Sequence, residues 1–263
     1  MGSGQALCAF RDDNSGRERS VKFEPGTSLT STNLSDHDFA DADLTDAVFE
    51  DCIFEDVQFS NTLLEGARFK TCRLIRCRFA GADLREAVFD DCVLSEGQQG
   101  CQFAFGRMEG VRFAKSNLSF AKFDRVSLYN AIFETCNLRG ANLLKADFGQ
   151  AFGRNVVRWA ATFTACNLEL ADLAEVRVPG GNFSQCSFRE ADLRDADLEG
   201  CDLRKTDLFQ ALTTGAKLAK ADLRGAEVSG LDLTKLATVQ DMKVDADQQY
   251  RLLTAMGLDV HAD

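Results

Sequence analysis

Residues 39–60 read FADADLTDAVFEDCIFEDVQFS, and in this stretch Leu or Phe returns at every fifth position, which we call the beat. All fourteen beat positions from Leu29 to Leu94 hold Leu or Phe, and so do twenty-one of the twenty-seven from Phe103 to Leu233. A helix would show a period of 3.6 residues and a half-buried strand a period of 2. The chain is therefore an internal repeat, and the repeat decides the fold.

The residue two places before each beat is small, as at Ala42, Ala82, Ala191 and Ala221. Two inward side chains in every five residues, one large and one small, imply a chain that turns a corner at each repeat. The pattern resembles the pentapeptide-repeat family, whose consensus is Ala-(Asp/Asn)-Leu-x-x, over about residues 27–233.

This resemblance implies an all-β fold, a right-handed quadrilateral β-helix in which four pentapeptides form one square coil. Beat residues would stack in columns twenty residues apart, so that Phe49, Phe69 and Phe89 form one ladder. The forty-one beats predict about ten coils. At the roughly 4.8 Å spacing of stacked strands, the rod would be roughly 45 to 50 Å long. Each repeat can bury its apolar residues only against its neighbours.

The beat also sets the domain boundaries. Residues 1–26 are predicted to be an N-terminal extension, partly disordered or capping. Residues 27–233 form the pentapeptide-repeat β-helix. Residues 234–263 are predicted to be a C-terminal capping and dimerisation segment with a short α-helix.

Composition argues against an enzyme, a cofactor-binding protein and a membrane protein. The only histidines are His37 and His261, near opposite ends of the chain, which is a poor basis for acid–base or nucleophilic catalysis. No glycine motif that cradles phosphate is present, and no apolar run is long enough to span a membrane. The first twenty residues lack the apolar segment of a secretory signal. We therefore expect a cytoplasmic protein without cofactor or metal.

Nine of the ten cysteines occupy the small inward position and are predicted to be small apolar fillers of a reduced core, without disulfide or metal. They are Cys52, Cys72, Cys77, Cys92, Cys101, Cys136, Cys166, Cys186 and Cys201.

The formal net charge of −11 is unevenly distributed. Residues 35–67 contain ten acidic residues without a Lys or Arg, and the basic residues Arg68, Lys70, Arg73, Arg76 and Arg78 follow directly. An acidic surface repels nucleic acid and attracts proteins that bind it, so DNA mimicry and simple solubility both explain the charge. Many of the Asp side chains precede a beat, where they can instead accept a hydrogen bond from the turn. The predicted acidic mimic surface comprises Asp36, Asp41, Asp46, Glu50, Asp51, Glu55, Asp56, Asp90 and Asp91.

Two interruptions of the beat predict loops. Four residues are inserted between Leu94 and Phe103, and farther on Gly153 and Arg158 fall on beat positions. Loops on a rigid scaffold tend to carry binding functions, and Trp and Arg are favoured at interface hot spots. The candidate contact residues are Glu96, Gly97, Gln98, Gln99, Gly100, Arg154, Asn155, Arg158 and Trp159.

These interruptions narrow the resemblance to Qnr-type quinolone-resistance proteins. The segment 95–103, SEGQQGCQF, is similar to their first loop, and the disruption before Trp159 falls where they have a larger loop. The resemblance implies a non-enzymatic DNA mimic that binds DNA gyrase or topoisomerase IV and protects it from quinolone-like poisons. Two alternatives stay open: a scaffold or regulatory interaction module without topoisomerase contact, and self-immunity to another gyrase-targeting antibiotic.

The segment 242–260 is similar to the Qnr-type tail. From the residues themselves, Asp245 can cap a helix and Gly257 can end it. The resemblance implies that two chains meet there in a homodimer, with Leu252, Leu253, Met256 and Leu258 at the interface.

Overall fold

The computed structural model describes residues 7–10, 19–154 and 156–261, with side chains from residue 23 onward. Its short strands are β1 (Leu7–Phe10), β2 (Arg19–Lys22), β3 (Ser28–Thr30), β4 (Val48–Glu50), β5 (Ile53–Glu55), β6 (Arg68–Lys70), β7 (Arg73–Ile75), β8 (Arg78–Ala80), β9 (Val88–Asp90), β10 (Ser95–Glu96), β11 (Gln99–Gly100), β12 (Gln102–Ala104), β13 (Arg112–Ala114), β14 (Lys122–Asp124), β15 (Ala131–Glu134), β16 (Gly149–Ala151), β17 (Val157–Trp159) and β18 (Ala161–Thr164). Two 3₁₀ helices, Leu233–Lys235 and Ala246–Gln248, and one α-helix, α1 (Gln249–Ala255), lie at the C-terminal end.

The largest sheet confirms the predicted β-helix. Strands β3, β4, β6, β9, β13, β15 and β18 pair in parallel, each one coil farther along the rod. Beat residues pair with beat residues, as Phe49 does with Phe69 and Phe69 with Phe89. We name the four faces of the coil by one beat residue each: face A carries Phe49, face B Phe54, face C Phe59 and face D Leu64.

The core of the rod is a set of stacked rings. On face A the centroids of Phe49 and Phe69 are 5.1 Å apart and those of Phe69 and Phe89 are 4.7 Å apart, with nearly parallel planes. On face C the rings of Phe59 and Phe79 stack at 4.7 Å. Because each buried Phe contributes about 1.5–3 kcal/mol, the column supplies a large part of the folding free energy.

The corners confirm the turn-making role predicted for many Asp residues. The residue two places after a beat adopts the left-handed conformation, as Asp41 (φ 59°) and Asp46 (φ 55°) do. Just before the beat, the Asp43 carboxylate accepts a hydrogen bond from the amide of Thr45 at 3.1 Å, and Asn117 does the same for Ser119 at 3.2 Å. These side chains satisfy turn amides that the coil leaves unpaired.

The coil count is slightly lower than the beat predicts, since Gly153 and Arg158 lie outside the coils: Gly153 lies between β16 and β17, and Arg158 lies within β17. Both ends of the rod are covered. Phe23 packs edge-on against Phe39, with centroids 4.9 Å apart. At the other end the Gln248 amide donates to the carbonyls of Leu223 and Ala226, at 2.8 and 2.7 Å.

Of the predicted N-terminal extension, β1 and β2 pair as an antiparallel hairpin, and residues 1–6 and 11–18 lie outside the described residues. None of the helices in the described ranges has the length and apolar character needed to cross a membrane.

Cysteines line the core as predicted: the nine at inward positions are buried and free. Their thiols donate to carbonyls of the preceding coil, for example Cys72 to Phe49 at 3.2 Å and Cys92 to Phe69 at 3.3 Å. Burial raises the pKa of the Cys201 thiol to about 12. Thiolate formation, and with it reactivity, is therefore suppressed.

The tenth cysteine, Cys8, does not occupy an inward position, so it is replaced by Ser in this test. We expect the Cys8→Ser variant to react negligibly with Ellman's reagent under native conditions. In guanidinium, its nine remaining thiols should all react. The measurement is the absorbance time course in both buffers. Rapid native reaction of several thiols would contradict a closed core.

Pairs of Asp and Arg flank several beats on the outer surface. Arg204 Nε donates to Asp202 at 2.8 Å, and Arg224 Nε donates to Asp222 at 2.9 Å. Both partners point outward because they are two residues apart on an extended segment. The hydrogen bonds from Arg224 lower the pKa of the Asp222 carboxyl to about 2.

These pairs predict a loss of stability in acid. A lowered pKa in the folded state stabilises the protein above the unfolded value of about 3.9, and this contribution disappears as the pH falls through the folded value. We expect the thermal unfolding midpoint to fall between about pH 4 and pH 2, and to fall less in Arg224→Gln. Arg68→Gln is the control, because Arg68 forms no ion pair with any residue in the described ranges. An unchanged pH dependence in Arg224→Gln would rule out this contribution.

Candidate functional site

The first interruption of the coil is a short antiparallel hairpin, which we call hairpin 1 (residues 95–100). Ser95 pairs with Gly100 and Glu96 with Gln99, and the amide of Cys101 donates to the carbonyl of Leu94 at 3.0 Å. The hairpin leaves the rod at the corner between faces B and C. Because its ends meet, the coil resumes in register four residues late.

Hairpin 1 is anchored to the rod by charge. The Glu96 carboxylate pairs with Arg73 and with Arg76, each at 2.7 Å. Arg76 also holds Asp56 through two hydrogen bonds of 2.8 Å, which lower the pKa of the Asp56 carboxyl. Glu96, predicted as a partner contact, is therefore engaged within its own chain, although its side chain stays half exposed.

Gly100 lets hairpin 1 lie directly on the next coil. A Cβ at this position would clash with the backbone of Phe120 and Ala121. The hairpin is therefore held from below by close backbone packing and from the side by Glu96. Gly97, Gln98 and Gln99 remain exposed at its outer edge.

The second interruption, hairpin 2 (residues 149–159), is longer and leaves the rod between faces D and A. Strands β16 and β17 pair antiparallel, with Gln150 opposite Arg158. Asn137 pairs with Asn167, so the coil resumes ten residues late. Arg154 is exposed, and Asn155 lies outside the described residues.

The tip of hairpin 2 is apolar and exposed. Phe152 is 44% exposed, Val156 49% and Val157 46%. These residues are not among the contact residues predicted from the sequence, although three large apolar residues off the beat beside an interruption are a usable signal. Phe152 packs edge-on against Tyr129 at 5.8 Å, and the Arg158 guanidinium lies 5.2 Å from its ring.

Trp159 forms the base of hairpin 2 and is half-buried. The Arg177 guanidinium lies 4.2 Å from its ring centre, a cation–π contact. Gly149 faces the indole so closely that a Cβ there would lie 3.0 Å from Nε1. Trp159, predicted as a contact residue, therefore also holds the hairpin on the rod.

A family model described as a pentapeptide repeat region matches residues 26–98. A second model, described as pentapeptide repeats in eight copies, matches residues 99–134, 116–152, 166–204 and 201–235. This chain belongs to the pentapeptide-repeat family. A comparison of the sequence with curated proteins found no match.

Solved structures of QnrB1 share this fold. A trypsin-treated variant of QnrB1, a plasmid-mediated fluoroquinolone resistance protein, is 20% identical with a TM-score of 0.70 and covers 90% of this chain and 100% of its own. Full-length QnrB1 is also 20% identical, with a TM-score of 0.67, and covers 88% and 100% of the two chains. HetL, a pentapeptide repeat protein involved in heterocyst differentiation regulation in Nostoc sp. strain PCC 7120, is 22% identical over 83% of this chain and 85% of its own, with a TM-score of 0.37.

The acidic residues of this pentapeptide-repeat protein do not form one surface. Asp36 and Asp56 lie at the corner between faces B and C, whereas Asp41 and Asp46 lie at the two following corners. Glu50 and Asp90 lie on face A, and Asp51 and Asp91 lie at the corner between faces A and B. Glu55 lies on face B. Glu50 pairs with Lys70 at 2.5 Å and Glu55 with Arg73 at 3.3 Å. Part of the acidic charge is therefore neutralised within the chain.

The C-terminal helix α1 ends at Ala255, and Gly257 (φ 83°) follows its C-cap Met256. Gln248 Oε1 accepts from the Asp245 amide at 2.6 Å just before the helix begins. Leu252, predicted to lie at a dimer interface, is 5% exposed and packs into the core of its own chain. Leu253 is half-buried, and Met256 and Leu258 are exposed. Tyr250, which sequence analysis missed, is 60% exposed.

No group of three His, Cys, Asp or Glu side chains in the described ranges could hold a metal ion. His37 stacks on Phe39 at 5.9 Å, and burial lowers its pKa. This arrangement fits a packing role at the N-terminal end of the core.

Hairpin 2 can be monitored directly, because Trp159 is the only tryptophan of the chain. We expect Arg177→Gln to increase acrylamide quenching of its fluorescence and to destabilise the protein by about 0.5–1 kcal/mol, the value of an exposed cation–π contact. Arg125→Gln is the matched control, since Arg125 lies 5.0 Å from the ring of Phe105 and not from a tryptophan. Equal quenching in the two variants would contradict the anchoring role of Arg177.

Proposed function

We propose that this pentapeptide-repeat protein acts without catalysis by binding DNA gyrase or topoisomerase IV, and that it protects the enzyme from quinolone-like poisons. The observation that carries the proposal is the pair of hairpins that interrupt an otherwise regular rod, one of them with an exposed apolar tip. QnrB1, whose structure shares this fold, is described as a fluoroquinolone resistance protein, which supports the drug class. The topoisomerase target comes from the resemblance of the two interruptions to the loops of Qnr-type proteins.

The placement of the hairpins favours a partner with two walls. Hairpin 1 leaves the corner between faces B and C, and hairpin 2 leaves the diagonally opposite corner. A single flat surface cannot contact both. A cleft that normally encloses duplex DNA can do so, with one hairpin against each wall and the rod between them.

Charge supports the placement of the rod in such a cleft but does not by itself account for affinity. The net charge of −11 over roughly 50 Å is about one charge per 4–5 Å, whereas duplex DNA carries one per about 1.7 Å. Several acidic side chains are also paired with Arg or Lys. The acidic rod therefore resembles DNA weakly, and we assign most of the binding free energy to the hairpins.

Within hairpin 2, the residues proposed to contact the enzyme are Phe152, Val156 and Val157, together with Arg154 and Arg158. Hot spots lie near the centre of an interface in well-packed, fully desolvated pockets, and Arg is among the residue types enriched in them. Asn155 is also proposed as a contact residue, only because it lies between Arg154 and Val156 in the sequence. Hairpin 1 would contribute Gln98 and Gln99, with Glu96 positioning them.

We further propose that the protein is a cytoplasmic homodimer joined through its C-terminal segment. The exposed apolar side chains Tyr250, Met256 and Leu258 at this end support the proposal. Leu253 lies beside them and is half-buried. Two rods joined end to end would be roughly 100 Å long, by the stacked-strand spacing.

The decisive test is a gyrase supercoiling assay with ciprofloxacin, in which the protein is titrated as wild type and as Phe152→Ser/Val156→Ser/Val157→Ser. We expect the variant to require at least about tenfold more protein for the same rescue, since interface hot spots exceed 1 kcal/mol each.

The matched control is Leu63→Ser/Leu170→Ser/Leu212→Ser, which changes three apolar residues of similar exposure away from hairpin 2. Equal loss in both variants would show that hairpin 2 is not the contact. If the wild type neither rescues supercoiling nor inhibits drug-free gyrase, the topoisomerase proposal is contradicted. That result would favour an interaction module with another partner.

A further inference from the structure

A polar groove runs along face C beside hairpin 1. It has a volume of about 490 Å³. Its floor is a column of outward side chains from successive coils, in which Gln58 pairs in register with Arg78, Arg78 with Gln102, and Gln102 with Lys122. The exposed edge of hairpin 1 forms one side.

Two cations in this groove are available to a ligand. Arg78 and Lys122 are exposed, and neither forms an ion pair with any residue in the described ranges. Arg76, at the same edge, is different because Asp56 and Glu96 engage its guanidinium. Asp56 also lines the groove, but Arg76 compensates its charge. Arg78 and Lys122 are two coils apart, which is about 10 Å at the spacing of stacked strands.

The other polar groups of the groove suit a polypeptide. Gln58, Gln98, Gln99 and Gln102 each present an amide that both donates and accepts hydrogen bonds. A peptide backbone offers both donors and acceptors, whereas the phosphate backbone of a nucleic acid offers only acceptors. The net charge of −11 also repels a nucleic acid, while a short acidic segment needs only the local cations.

The groove is formed before any ligand arrives. Glu96 and Gly100 hold hairpin 1 in place through the ion pairs and the close backbone packing described above. A ligand would therefore not have to order this wall, and ordering costs are a main reason why contacts fail to produce affinity.

We propose that the groove between hairpin 1 and face C binds an acidic polypeptide segment in extended conformation, with its carboxylates paired to Arg78 and Lys122. The glutamine amides bond to the backbone of the segment. This inference goes beyond the proposed function, because it names a chemistry that face C recognises in whichever protein supplies the segment.

The test uses the full chain and fluorescein-labelled octaglutamate, with binding followed by fluorescence anisotropy at low salt. We expect saturable binding that is weakened at least about tenfold, or 1.4 kcal/mol, in Arg78→Gln/Lys122→Gln. Circular dichroism and the melting temperature show that the variant is folded.

The matched control is Arg68→Gln/Lys115→Gln, which also removes one arginine and one lysine from the same two coils as Arg78 and Lys122. Arg68 lies on face A, and Lys115 lies at the corner between faces A and B. Neither residue forms an ion pair with a described residue. Equal weakening in both variants would show nonspecific attraction and overturn the proposal. Absence of saturable binding to the wild type would do the same.

A single-stranded octathymidylate, labelled in the same way, distinguishes the nucleic-acid alternative. Binding as tight as that of octaglutamate would overturn the assignment to an acidic polypeptide. The supercoiling assay with hairpin 2 variants is unaffected by these outcomes, so failure of this inference and failure of the proposed function can be told apart.

Discussion

The structure depends on one constraint: a pentapeptide has no interior of its own. Each repeat buries one large and one small side chain, and only the coils before and after it can cover them. In-register stacking of identical rings, as in the column from Phe49 to Phe89, satisfies this need at every level of the rod. The backbone hydrogen bonds run in the same direction, so that packing and hydrogen bonding require the same twenty-residue register.

This register explains why the two insertions take the form they do. An added segment is compatible with the stack only if its ends return to neighbouring positions, and an antiparallel hairpin meets that condition at any length. Pairing resumes at once after each insertion, between Asp83 and Arg107 and between Phe133 and Phe163. The hairpins can therefore vary in sequence at little cost to the core, which makes them suitable carriers of binding specificity.

The same stacking organises charge. Residues twenty apart lie side by side on neighbouring coils, so Lys70 meets Glu50 and Arg76 meets Asp56. Residues two apart point outward together, so Arg204 meets Asp202. An acidic sequence thus becomes a surface on which many carboxylates are compensated. Cations that form no ion pair with a described residue, such as Arg78 and Lys122, stand out against that background.

The sequence by itself determined the period, and the period determines the coil, the inward columns, the cysteine fillers and the turn-making Asp residues. The i and i+20 rule could also have predicted the pairing of Glu96 with Arg76. The same register distributes the acidic residues over different corners and faces of the rod. The tertiary structure alone decided that hairpin 2 exposes Phe152, Val156 and Val157, and that Leu252 is buried in its own chain. The hairpin tip and the C-terminal helix lie outside the repeat, so their contacts are set by packing against the rod, and a period cannot encode them.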